Sequence, residues 1–247
     1  MFQRDYLMRQ IEQAARALAV IVKKALGGDP GEALAMFDQA YQPLLGVSSR
    51  VVSTLTDEHL VSLLTSGSVP DLRRVAAVLE VVKTEADVHA QAGNQQAASS
   101  RYRRALSLAA HLASRSDELL DAQLAGDLVE RTGGTALSAA QRLGLARVQE
   151  ALGRYADAED ALFEAIDDAP EDPGPVDAGI AFYQRLLARE DAGLQRGGLP
   201  RDEVNSGLAE LLRRHVPAED LSEEDLPEDP AGWPGGTAEP AGWPGED

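Results

Sequence analysis

The ionisable residues of this chain offer few arrangements that could perform chemistry. Glu85 and His89 stand four residues apart, a spacing that places both side chains on one face of a helix. A carboxylate beside an imidazole can orient the ring and raise its pKa, as a general acid or base requires. Neighbours of this kind are common on helix surfaces, so we interpret the two residues as a solvated pair. They remain the first suspects for an enzymatic site.

Sequence motifs with a defined chemistry do not occur in the chain. It has no P-loop, dinucleotide-binding glycine motif, zinc-protease motif, EF-hand loop or nucleophile elbow. The absence of cysteine excludes disulfides, cysteine-bound zinc, iron-sulfur clusters and thiol nucleophiles. The histidines lack the short spacing typical of metal ligands; they are His59, His89, His111 and His215. We therefore expect no catalytic residue, no cofactor and no metal ion.

The charge balance argues against a nucleic-acid partner. The chain has 23 Lys and Arg against 41 Asp and Glu, a net charge of -18. Such a surface repels phosphate backbones and anionic lipid headgroups unless a basic patch compensates. The densest positive cluster is Arg101, Arg103 and Arg104, joined by Tyr102. It is too small for nucleic acid, but it could receive an acidic segment of this chain or of a partner.

The composition predicts an all-α protein. Hydrophobic residues make up 44% of the chain but aromatic residues only 4%, so Ala, Leu and Val must supply the core. Ala and Leu favour helices, and no stretch shows the alternation of a half-buried strand. No apolar run approaches the roughly 20 residues of a membrane-spanning helix. Asp5 and Glu12 interrupt the N-terminal segment, unlike a secretory signal, so the expected location is the cytoplasm.

Helix-breaking glycines and prolines, together with helix-start signals, divide residues 1–215 into about ten predicted helices. The predicted spans are 3–26, 30–45, 56–65, 70–92, 95–113, 116–131, 135–152, 155–169, 174–192 and 201–215.

Residues 216–247 differ in composition from this helical domain. They contain ten acids, six prolines and no Lys or Arg, which predicts a disordered acidic tail. The tail repeats Pro-Ala-Gly-Trp-Pro-Gly around Trp233 and Trp243, the two tryptophans of the protein. A tryptophan beside proline is a stiff apolar anchor, and two copies permit avidity. Duplication of a loose low-complexity segment is the alternative interpretation.

A helix, turn, helix pattern covers residues 139–170. Ala146, Ala158 and Ala165 occupy its small positions, Gly153 its turn and Pro170 its end. This pattern resembles a tetratricopeptide repeat, in which small residues let two helices cross closely. A second copy has small or turn residues at Ala86, Gly93, Ala98 and Ala105, and a weaker third has them at Gly28, Ala33 and Ala40. The copies are spaced by 65 and 60 residues, so the resemblance implies an irregular α-solenoid of helical hairpins.

The repeat resemblance also implies where a partner would bind. In tetratricopeptide proteins the first helices form a concave surface. The corresponding candidate groove residues are Glu80, Lys83, Asp87, Leu143, Arg147 and Glu150.

The N-terminal part resembles a narrower group. The segment 5–11, which opens a long helix, and the segment 33–41, which leads to Leu44-Leu45-Gly46, are similar to a bacterial tetratricopeptide-like family without assigned function. The resemblance covers most of residues 1–115. This resemblance implies no catalytic residues.

The leading hypothesis is a cytoplasmic scaffold that binds a protein or peptide without chemistry of its own. One alternative is an enzyme whose active site carries no recognisable sequence motif, with Glu85 and His89 as first suspects. Another is a membrane-surface adaptor, because residues 1–26 form an amphipathic helix with five basic and two acidic residues. Packing of that apolar stripe on the rest of the domain is the simpler interpretation.

Overall fold

The protein is all-α, as the composition predicts. A computed structural model describes residues 2–66 and 69–215; the predicted tail with Trp233 and Trp243 lies outside the described residues. Within these residues the α-helices are α1 (Phe2–Leu26), α2 (Pro30–Ala35), α3 (Asp38–Leu45), α4 (Ser49–Thr54), α5 (Asp57–Leu63), α6 (Leu72–Gln91), α7 (Gln95–Ala113), α8 (Ala122–Thr132), α9 (Ala139–Ala151), α10 (Tyr155–Asp168), α11 (Pro173–Leu187), α12 (Asp191–Arg196) and α13 (Arg201–His215). A 3-10 turn covers Asp117–Leu119, and β1 (Thr65–Ser66) pairs antiparallel with β2 (Val69–Pro70).

Side-chain caps fix many of the helix starts. Asp29 accepts a hydrogen bond from the Glu32 backbone N–H at 3.1 Å, and Pro30 occupies the first position of α2. The Asp71 carboxylate accepts from two backbone N–H groups at the start of α6. Ser138 and Gln141 form a reciprocal capping box at the start of α9. These caps satisfy backbone donors that have no partner inside the helix.

Several predicted spans were wrong in detail. The predicted helix 30–45 is two helices, because the backbone N–H groups at residues 36 and 37 bond three residues back instead of four. The predicted helix 116–131 starts later, where Asp121 caps α8. The predicted helix 174–192 ends at Leu187, and α12 follows as a separate turn. Sequence reasoning missed α4, which has six residues and starts at the Ser48 cap.

Helical hairpins with alanine contacts form the centre of the structure. α6 packs on α7, and α9 packs on α10. Gly93 and Gly153 make the turns with φ angles of 79° and 72°, a conformation that residues with a side chain rarely adopt. The small residues of all three repeat copies are buried; they are Ala33, Ala40, Ala86, Ala98, Ala105, Ala146, Ala158 and Ala165. Their size lets the helices approach closely.

Two hydrophobic cores meet at α9. The larger one is built from α1 to α8 and includes Val148 of α9. The smaller one, built from α9 to α13, includes Ala146, and Leu145 packs against both. Helix α9 therefore joins the two halves of the fold.

Helix α1 packs its apolar stripe on the domain. Leu7, Ala14, Leu18, Ile21 and Ala25 are buried, and α1 contacts α2, α3 and α6. None of the helices in the described residues is both long and apolar enough to cross a bilayer.

Gly197 offers a test of the packing between α12 and α10. A Cβ atom at this position would lie 2.7 Å from the Gly153 carbonyl oxygen and would overlap the Tyr155 ring. We expect Gly197→Ala to lower the free energy of unfolding by about 1–3 kcal/mol, as overpacking does. Chemical denaturation followed by circular dichroism measures this change. Gly31→Ala is the control, because its Cβ would meet open space. Equal stability of the two variants would contradict the close packing of Gly197 against Gly153 and Tyr155.

Candidate functional site

The Glu85 carboxylate is buried, so its interpretation as part of a solvated pair was wrong. Its side chain lies in α6 and is 2% exposed. Oε2 accepts hydrogen bonds from the Tyr41 hydroxyl at 2.6 Å and from Arg101 Nε at 2.8 Å. Oε1 accepts from the Ser49 hydroxyl at 2.5 Å and from Arg101 Nη2 at 3.3 Å. Both oxygens are thus bound by groups of the protein, and the cluster links α3, α4 and α7 to α6.

Burial governs the protonation of the groups around Glu85. Burial lowers the pKa of His89, whose Nε2 lies 3.9 Å from Glu85 Oε1, although the carboxylate charge opposes the shift. The pKa of Tyr41 is raised by burial and by the charge of Glu85, so its hydroxyl stays a donor. Burial opposes the charge on Arg101, but the hydrogen bonds and charge of Glu85 outweigh it and raise the pKa of Arg101. His89 is therefore tuned towards the neutral form.

The arginine cluster of α7 does not form an open basic patch. Arg101 is buried against Glu85. Arg104 donates to the backbone carbonyls of Val52 and Leu55, and its Nε lies 3.3 Å from the Asp57 carboxylate. Residues three apart share a helix face, and this face of α7 turns inwards. The expectation that the cluster receives an acidic segment is therefore wrong for Arg101 and Arg104.

The candidate groove residues of α6 stand on one face of the helix, since Lys83 and Asp87 follow Glu80 by three and seven residues. Glu80 is exposed between α1 and α8. Lys83 forms ion pairs with Asp87 at 3.0 Å and with Asp127 of α8. Asp87 also accepts from the Tyr102 hydroxyl at 2.6 Å. Lys83 and Asp87 therefore connect α6 to α7 and α8.

The candidate residues of α9 lie in another part of the fold. Leu143 packs against the smaller core. Glu150 is buried, and its carboxylate accepts from Arg147 Nη1 at 2.7 Å and from both Nε and Nη2 of Arg185, at 2.7 and 2.8 Å. The structure thus brings Arg147 and Glu150 together but places them in a different cavity from Glu80.

Two of the open grooves along α1 share Glu80. The large groove has a volume of 680 Å³ and is lined by residues of α1, α6, α8 and the turn before α8: Met8, Ile11, Arg73, Ala76, Ala77, Leu79, Glu80, Leu119, Asp121, Gln123 and Leu124. The small groove has a volume of 450 Å³ and is lined by α1 and α6: Ala15, Leu18, Ala19, Val22, Lys23, Leu26, Glu80 and Thr84. The walls of both grooves are mainly apolar, with Arg73, Lys23, Glu80 and Asp121 as charged groups.

Sequence reasoning found Glu80 but missed the rest of these walls. Met8 and Ala19 belong to α1, about sixty residues before α6, and no repeat position marks them. Arg185, the strongest partner of Glu150, was missed for the same reason. Only the packing of distant helices creates these neighbourhoods.

Loss of the Glu85 charge would leave Arg101 without a counterion in the core. We expect Glu85→Gln to lower the free energy of unfolding by about 3 kcal/mol or more, the usual cost of breaking a buried ion pair from one side. Denaturant unfolding measures this change. Glu80→Gln, on the same helix but exposed, is the control and should change stability by less than about 0.5 kcal/mol. Similar small losses in both variants would contradict the central role of Glu85.

The lowered pKa of His89 predicts a pH dependence of stability. The unfolded chain binds the His89 proton at the ordinary value near 6.5, whereas the folded chain binds it only at lower pH. The contribution of neutral His89 to the free energy of unfolding is therefore complete above about pH 6.5. It is lost as the pH falls towards the pKa of His89 in the folded chain. We expect His89→Gln to lose less stability than the parent chain between pH 7.5 and 5.5 in denaturant titrations, with both pH values chosen to bracket about 6.5. His59→Gln is the matched substitution at an exposed position. If both substitutions changed the pH dependence of stability equally, the assignment of this dependence to His89 would be contradicted.

Comparisons with known proteins give a family but no described relative. A search of curated proteins and a search of solved structures each returned no match. The model of a family described as "Family of unknown function (DUF6483)" matches residues 1–215, well beyond the 1–115 of the N-terminal resemblance. The chain therefore belongs to this family of unknown function.

Proposed function

We propose that this protein is a scaffold that binds a segment of a partner protein along α1 and α6. The observation that carries the proposal is the pair of apolar grooves that share Glu80. Large contiguous apolar depressions on a folded surface are typical of interaction sites.

The exposure of apolar side chains around the grooves supports this proposal. Met8 is 39% and Leu26 79% exposed, although α1 buries its main stripe on the domain. A partner that covers these side chains would remove apolar surface from water, which favours association.

The spacing of the grooves suggests the form of the partner. Ile11 in the large groove and Val22 in the small groove are eleven residues apart on α1, about 16 Å at 1.5 Å per residue. An amphipathic helix with apolar anchors about eleven residues apart would fill both grooves, since helices recognised in grooves place their anchors on one face. Arg73 and Lys23 favour acidic partner residues near them, whereas Glu80 and Asp121 favour basic ones.

The helical hairpins support a scaffold of tetratricopeptide type. The glycine turns and buried alanines stand at the positions that the repeat resemblance gave. In this proposal the hairpins hold α6 rigidly while α1 supplies the second wall. We propose a cytoplasmic location for this activity, in accord with the sequence expectation.

The environment of Glu85 and His89 supports binding over catalysis. Both carboxylate oxygens already accept hydrogen bonds from the protein, and Glu85 lines neither groove. Three or more potential metal-binding side chains do not come together anywhere in the described residues.

Selection of helical peptides from a display library on the full chain tests this function. We expect the selected peptides to carry two apolar anchors about eleven residues apart, matching the grooves. The double variant Met8→Arg and Ala19→Arg places a long charged side chain in each groove from exposed positions. It should weaken peptide binding, measured by calorimetry, at least about tenfold, equivalent to about 1.4 kcal/mol.

The control adds the same charge elsewhere. Ala35→Arg with Ala140→Arg alters two exposed alanines that line neither groove, and binding should be retained. Equal binding by both double variants would exclude the grooves as the docking site. Truncation after residue 215 provides a second comparison: tighter peptide binding by the truncated chain would mean that the tail, with Trp233 and Trp243, competes for the grooves.

A further inference from the structure

A cleft lined by three arginines lies between α7, α9 and the end of α11. Its volume is 60 Å³, and its walls are Ala113, Arg147, Glu150, Ala151, Arg185 and Arg189. The cleft is separate from the grooves along α1, and none of these residues lines them.

Internal partners use only part of the donor capacity of these arginines. Arg147 donates Nη1 to Glu150 and Nη2 to the Ala113 carbonyl, at 2.7 and 3.2 Å. Arg185 donates Nε and Nη2 to Glu150, which leaves Nη1 without a partner among the described residues. The side chain of Arg189 forms no ion pair within residues 2–66 and 69–215. Each guanidinium has five N–H donors, so several remain for a ligand.

The charges that line the cleft do not cancel. Three arginines face one glutamate, a surplus of two positive charges in a chain whose net charge is -18. Elsewhere in the described fold, Arg101 and Glu85 balance one to one in a closed environment. Alanines form the rest of the walls and bring no acid that would offset the surplus.

We propose that this cleft binds the phosphoryl group of a ligand. Arginine presents paired N–H donors in the geometry that phosphate oxygens accept. A phosphate monoester carries a charge close to -2 at neutral pH, which matches the surplus. At about 30 Å³ per water molecule the cleft holds the volume of about two waters, so it accommodates one anionic group rather than a whole metabolite.

The roles of the arginines differ. Arg147 and Arg185 are held in place by Glu150, so they form a preorganised floor for the anion. Arg189 is exposed and has no acid partner among the described residues, and it supplies a donor that can close on the ligand. Glu150 is a positioning residue that repels the anion but orients two guanidinium groups.

Titration of the full chain with inorganic phosphate tests this assignment. Phosphorus NMR line broadening at constant ionic strength gives the dissociation constant, and acetate and chloride serve as competitors. We expect phosphate to bind more tightly than acetate, because acetate carries one charge. Arg189→Gln should raise the dissociation constant at least about fivefold, since a charge-assisted donor is lost.

The matched control is Arg196→Gln, an exposed arginine of α12 that does not line the cleft. It removes the same charge, so it should bind phosphate as the parent chain does. The dissociation constant of Arg189→Lys for phosphate should lie between those of the parent chain and Arg189→Gln, because lysine keeps the charge but loses the paired donors. Equal phosphate binding by Arg189→Gln and Arg196→Gln, or equal competition by acetate and phosphate, would overturn the proposal.

Discussion

A carboxylate that is removed from water must have both oxygens hydrogen-bonded, and this requirement at Glu85 fixes the N-terminal half of the fold. Tyr41, Ser49 and Arg101 come from α3, α4 and α7 and converge on one side chain of α6. Hydrophobic contacts alone tolerate small shifts between helices, but a buried ion pair requires specific donors at specific distances. The hairpin of α6 and α7 is thereby held against the short helices that precede it.

Glu150 plays a related part in the C-terminal half but with a different charge balance. Both glutamates are buried on the first helix of a hairpin and both are bound by arginine. Glu85 has one arginine and two hydroxyl-bearing partners in a closed core. Glu150 has two arginines beside an open cleft, with a third at its rim. The first arrangement is neutral and structural, whereas the second keeps positive charge available to a ligand.

Small side chains explain why the fold has grooves as well as close helix pairs. On α6, Val75, Val78 and Val82 fill the core, while Ala76 and Ala77 line the large groove. On α1, Ala15 and Ala19 stand at the small groove. Alanine on an inward face allows close packing, and alanine on an outward face leaves space beside larger neighbours. The same composition therefore produces both the core and the depressions.

The amino-acid sequence was sufficient to predict the class of fold, most of the long helices and the burial of the repeat alanines. These features depend on local propensity, capping and periodicity, which neighbouring residues encode. The sequence did not predict that Glu85 is buried. A glutamate four residues before a histidine has the same local sequence pattern on a solvent-exposed helix face and on a buried one. Nor did the sequence place Arg185 beside Glu150 or α1 beside Ala76. Those neighbourhoods arise when helices far apart in sequence pack together, and this packing sets which face of each helix meets solvent.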